Sequence, residues 1–69
     1  MRKYKIYFYF TDKNGMPETY EDGQIVYHDE TIQAYNAGEA IGILKDNCEQ
    51  EPEIVSVNIV EELWKIWLK

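Results

Sequence analysis

Residues 32–48 constrain the fold most. They run Ile-Gln-Ala-Tyr-Asn-Ala-Gly-Glu-Ala-Ile-Gly-Ile-Leu-Lys-Asp-Asn-Cys, the end of a strand leading into one helix. Asn36 is a good N-cap, because its side-chain oxygen accepts a backbone N–H that the first helical turn leaves unpaired. Glu39, three residues on, completes an Asn version of the capping box and puts an anion where the helix dipole favours it. Ala37, Ala40, Ile41, Leu44 and Cys48 recur at helical spacing and predict one apolar face. Gly38 and Gly42 each weaken a helix by up to about 1 kcal/mol relative to Ala, which predicts close packing of the helix backbone on a sheet as compensation. Asn47 through Pro52 ends the helix.

The flanking segments alternate with period two. Tyr4, Ile6, Phe8 and Phe10 share one face, and Lys3, Lys5, Tyr7 and Tyr9 share the other, the pattern of a half-buried strand with the first set inward. Asn14-Gly15 supplies the positive φ of a tight turn, and Pro17 cannot donate within a sheet. Residues 18–23 either pair briefly or loop out. Residues 24–35 are extended, but Val26 and Ile32 share parity with His28 and Glu30. A straight strand would set Glu30 beside the core, which predicts a break or bulge at Asp29-Glu30. Residues 54–60 form the next strand, with Val55, Val57 and Ile59 inward. Beyond Glu61-Glu62, Val60, Leu63, Trp64, Trp67 and Leu68 fit a helical stripe, while Trp64, Ile66 and Leu68 fit a strand. The β-propensity of Ile and Trp leans toward strand. The expected architecture is a single α+β domain over residues 1–69. It has a small antiparallel sheet of three to four strands with one helix packed on one face, ordered β-β-α-β plus a C-terminal strand or short helix. The opposite face carries Tyr7 and Tyr9, joined by Tyr27 or Tyr35.

Size and charge narrow the function. A chain of 69 residues buries only about 60% of its unfolded surface, so its core is marginal without another aid. Cys48 is the single cysteine and His28 the single histidine, which leaves neither an internal disulfide nor the ligands of a structural zinc. The first residues alternate charges and aromatics, unlike a signal peptide, and no stretch has the length of a membrane span. A cytoplasmic protein is expected. Thirteen Asp and Glu against seven Lys and Arg give a net charge of −6. That disfavours direct contact with nucleic acid or an anionic membrane and favours a basic protein partner.

No motif carries chemistry. His28 and Asp29 are adjacent on a strand and point to opposite faces, so they do not converge on one ligand. Asp12-Lys13-Asn14-Gly15 resembles the start of a calcium loop but lacks the later acidic positions and the closing Glu. Cys48 falls on the apolar helix face with no base beside it. Gly38 and Gly42 lack the Lys-Ser/Thr of a phosphate loop. Paired carboxylates doing glycoside hydrolysis need a cleft around a sugar, for which this chain has little room. Neither a catalytic residue, a cofactor nor a metal is expected. The acidic clusters Glu21-Asp22, Asp29-Glu30, Glu49/Glu51/Glu53 and Glu61-Glu62 are either a solvated rim or an imitation of a phosphate array. Trp64 and Trp67 serve as core or lid, or as interface anchors.

Thr31-Ile-Gln-Ala-Tyr-Asn-Ala-Gly-Glu-Ala-Ile, followed by Glu53-Ile-Val-Ser-Val-Asn-Ile-Val-Glu-Glu, resembles a pattern common in small phage and mobile-element accessory proteins. There a strand ending in Ala leads into a helix opening Glu-Ala-Ile, and a Val-rich strand follows. The resemblance covers residues 31–62 and transfers no functional residue. It implies a phage-type inhibitor that binds a host protein in the host cytoplasm, an anti-CRISPR foremost. Its partner would be a CRISPR effector or another nucleic-acid-binding protein with a basic surface. The residues expected to meet that partner are Asp29, Glu30, Glu49, Glu51, Glu53, Glu61, Glu62, Tyr7, Tyr9, Trp64 and Trp67. The alternative is a non-enzymatic structural or assembly module acting as a homodimer, paired through exposed tyrosines, the C-terminal segment or a sheet edge.

Overall fold

The structure is a computed structural model and describes residues 1–60. The choice between strand and helix for residues 61–69, and the placement of Glu61, Glu62, Trp64 and Trp67, lie outside the described residues. Within them the chain forms β1 (Arg2–Tyr9), β2 (His28–Ala34), α1 (Ala37–Asn47) and β3 (Glu53–Ile59). The three strands make one antiparallel sheet in the order β2-β1-β3. This is the small α+β fold that the alternation and the single capped helix predict.

The alternation of β1 decides which face is inward. Tyr4, Ile6 and Phe8 are buried, and α1 adds Ala40 and Leu44 above them, with Ala34 from the end of β2. The helix packs mainly on β2 and less on β1. Its start follows the sequence: the Asn36 side chain accepts the Glu39 N–H at 2.8 Å. The Glu39 carboxylate accepts the N–H of Tyr35 at 3.3 Å, one residue before the cap, so the capping box is closed one position further out than its usual form. The inward helix face differs in one member: Ala37 is exposed, and Ile43 joins Ile41 and Cys48 at the core margin.

The break or bulge expected at Asp29-Glu30 is not found. β2 pairs with β1 without interruption through Asp29 and Glu30, and Glu30 faces the helix side opposite Ile6. The carboxylate stays exposed because α1 covers the Ala34 end of β2 and leaves a recess over its start. The irregularity is in β3, where Tyr7 pairs with Ser56 but Phe8 with Ile54. Val55 is the extra residue. Ile54 and Val57 pack against the core, Val57 as expected, whereas Val55, expected inward, is 52% exposed. Ile59 pairs opposite Tyr4 on the helix side, as expected, but is 60% exposed because α1 lies over β2 and β1.

Residues 10–26 form an arm of two consecutive hairpins. In the first, Asp12 N–H donates to Met16 O and Gly15 N–H to Asp12 O, with Gly15 at φ 81°. In the second, Tyr20 N–H donates to Gln24 O and Gly23 N–H to Tyr20 O, with Gly23 at φ 89°. Each loop is closed by an Asp: Asp12 Oδ1 accepts from Asn14 and Met16, and Asp22 Oδ1 from Gln24. These are three-residue hairpin loops whose last position needs a left-handed backbone, hence Gly. The Asp12 carboxylate thus caps its own turn. Residues 18–23, left open between pairing and looping, do both.

Gly42 is helical, exposed and without a neighbour within 4 Å of an added Cβ, so the close packing expected there is not found. Gly42→Ala should raise stability by roughly 0.5–1 kcal/mol, seen as a higher Tm. Ile6 is fully buried at the centre of the sheet. Ile6→Ala should cost about 2–5 kcal/mol, enough to leave a domain of this size largely unfolded in a denaturant titration.

Candidate functional site

The antiparallel register sorts the charges. Arg2, Lys3 and Lys5 occupy the first half of β1. Asp29 and Glu30 pair opposite Tyr7 and Ile6 in its second half, and Glu53 pairs opposite Tyr9. Asp46 is in the last turn of α1, and Glu49 and Glu51 lie in the link to β3. The arm, which continues from the same end of β1, brings Asp12, Glu18, Glu21 and Asp22. Every described carboxylate except Glu39 is therefore on the arm half of the domain. Lys13 and Lys45 are the cations among them, and Lys45 lies 3.4 Å from Glu51. Gln50 donates to Thr11 O, tying the acidic link to the base of the arm.

The residues expected to meet a partner divide between three places. Tyr7, Tyr9, Asp29 and Glu53 share the sheet face turned away from α1, where Tyr9 meets Tyr27 edge-on at 6.0 Å and Lys5 Nζ lies 5.5 Å from the Tyr7 ring centroid. Glu30 is on the opposite face. Glu49 and Glu51 are on the rim. Tyr27 joins Tyr7 and Tyr9 on the open face, as one of the two alternatives predicted.

Between the start of β2 and the end of α1 is a recess of about 440 Å³, lined by Phe8, Phe10, His28, Glu30, Leu44 and Cys48 among others. His28 is more than a surface histidine. Its ring stacks on Phe8 at 5.6 Å and tilts against Phe10 at 5.2 Å, and its Nε2 lies 3.1 Å from Glu18 Oε1. It therefore pins the arm to the core. Sequence reasoning missed this because Glu18 is ten residues away in a segment with no strong pattern. The parity of His28 with Val26 and Ile32 is the one signal the sequence offers. No group of three or more His, Cys, Asp or Glu among the described residues is placed to hold a metal ion, and no described helix is long and apolar enough to cross a membrane.

No family model matches the chain, and neither a curated protein nor a solved structure matches it.

The role of His28 separates two variants. The His28–Glu18 pair is well exposed, so Glu18→Gln should change stability by less than about 0.5 kcal/mol. His28→Ala also removes the ring held against Phe8 and Phe10 and should cost roughly 1–2 kcal/mol. Paired thermal melts check the ranking.

Proposed function

We propose that the protein is a non-enzymatic inhibitor of the phage type, which binds a host protein and blocks a basic nucleic-acid-binding surface with its acidic half. The observation that carries this reading is the separation of charge. Four separate segments (the arm, the start of β2, the end of α1 with its link, and the start of β3) deliver carboxylates to one half of a small domain. Like charges so gathered repel one another, a cost that a basic partner would offset. Carboxylates spread over an irregular surface meet the Lys and Arg of a nucleic-acid channel in the way phosphates do, and the same attraction speeds encounter. A CRISPR effector is the first partner to test, because the strand–helix–strand pattern resembles accessory proteins that include such inhibitors.

Binding and activity assays against a panel of CRISPR effectors and other host nucleases should give a stable complex with loss of nuclease activity. Absence of both across the panel sinks the reading. Replacing Glu49, Glu51 and Glu53 together with Gln should weaken the complex about tenfold or more at low salt and flatten its salt dependence. Unchanged binding would remove acidic mimicry as the mechanism.

A further inference from the structure

The sheet face away from α1 is unusual in carrying both signs of charge in an ordered way. Along β1 it runs Lys3, Lys5, Tyr7, Tyr9, from basic to aromatic. Beside Tyr7 on β2 is Asp29, and beside Tyr9 on β3 is Glu53. Thr31, Gln33, Ser56 and Asn58 fill the remaining positions with small or neutral polar groups. Tyr7 and Tyr27 are 36% and 56% exposed, although α1 has supplied a core for the other face only.

We propose that this face binds a second copy of the same chain. Two such faces brought together about a two-fold axis across the strands place β1 on β1, running in opposite directions. The axis then falls between the Lys5 and Tyr7 rows. Each Lys5 comes over the partner's Tyr7 and beside its Asp29, each Lys3 comes over the partner's Tyr9 and beside its Glu53, and the two Tyr7 rings flank the axis. A two-fold interface must be complementary to itself, since the same patch supplies both sides. The charge order on this face meets that condition: reversing it turns basic onto acidic. Flush parallel stacking of the two faces would instead set lysine against lysine, which disfavours that arrangement. Aligned sheets pack about 10 Å apart, within reach of a lysine on one side and an acid on the other.

The footprint is modest. Three strands at about 4.8 Å spacing and seven or eight residues long make a face roughly 14 by 25 Å, below the roughly 800 Å² per partner of a standard interface. The dimer is accordingly weak and concentration-dependent. It is independent of the acidic-mimicry reading, because its test uses the isolated protein.

Sedimentation velocity and light scattering of the full chain, from roughly micromolar to millimolar concentration, should show a reversible dimer that weakens with salt. Lys3→Glu with Lys5→Glu, and separately Asp29→Lys with Glu53→Lys, should each raise the dissociation constant by about a hundredfold while circular dichroism stays unchanged. Mixing the two variants should restore association, because each then meets the opposite sign. Lys5→Glu alone, a milder change at one position, should weaken the dimer in the same direction. A strict monomer at every concentration overturns the proposal. So does a dimer indifferent to the substitutions, as pairing through the β2 or β3 edge would give, and so does a mixture that fails to associate.

Discussion

The pairing of β1 on both sides is the constraint on which the rest of the structure depends. Among the described residues it is the strand with a hydrogen-bonded neighbour on each edge, and it supplies Tyr4, Ile6 and Phe8 to a core whose other fully buried apolar side chains are Ala34, Ala40 and Leu44. Because side chains alternate along a strand, the same choice that buries those three commits Lys3, Lys5, Tyr7 and Tyr9 to the far face. One helix of eleven residues then covers one side, and chiefly over β2. The recess at its C-terminal end, the exposed Glu30 and the open tyrosine face all follow from a central strand that is better buried than its neighbours.

That economy bears on how such a domain interacts. A small chain has little apolar surface to bury, and this one concentrates it in a single thin layer. The surfaces left over differ in character: an acidic half assembled from segments far apart in sequence, and a flat face with a mixed, directional charge order. The first suits long-range attraction to a basic partner, the second short-range registration with a matching surface. They adjoin at Asp29 and Glu53, so occupation of one would alter the electrostatics at the other.

What the sequence disclosed, and what it hid, can be argued residue by residue. β1 and α1 were legible because their signals are local: strict alternation in one, an N-cap and a three-to-four residue stripe in the other. The first turn was legible from Asn14-Gly15. Asp22-Gly23 has the same chemistry, but Glu18–Gly23 lacks flanking alternation, so the second hairpin stayed open. The parity conflict at Glu30 is visible in the sequence, but its resolution is not. A break or bulge at Asp29-Glu30 is the remedy the sequence suggests, whereas the structure keeps β2 regular there and leaves Glu30 outside the helix's cover. The bulge at Val55 left no trace in sequence, because Ile54, Val55 and Val57 are all apolar and any register looks acceptable. The candidate surface was half legible: the carboxylates were visible as clusters, but their gathering in one half depends on strand order and on the arm, which are long-range facts.

The order β2-β1-β3 also sets a schedule for assembly. The strand that ends up in the middle comes first along the chain, and its two neighbours follow in turn, β2 from His28 and β3 from Glu53. During synthesis β1 therefore waits with both edges and an aromatic face unprotected, and β3 closes the second edge. The two hairpins of the arm fall in that interval. Each is closed by contacts between residues near in sequence, so they can form on the microsecond scale while ribosomal elongation is still in progress. By drawing residues 10 to 26 into a compact span, they shorten the effective loop that β2 must close to reach β1.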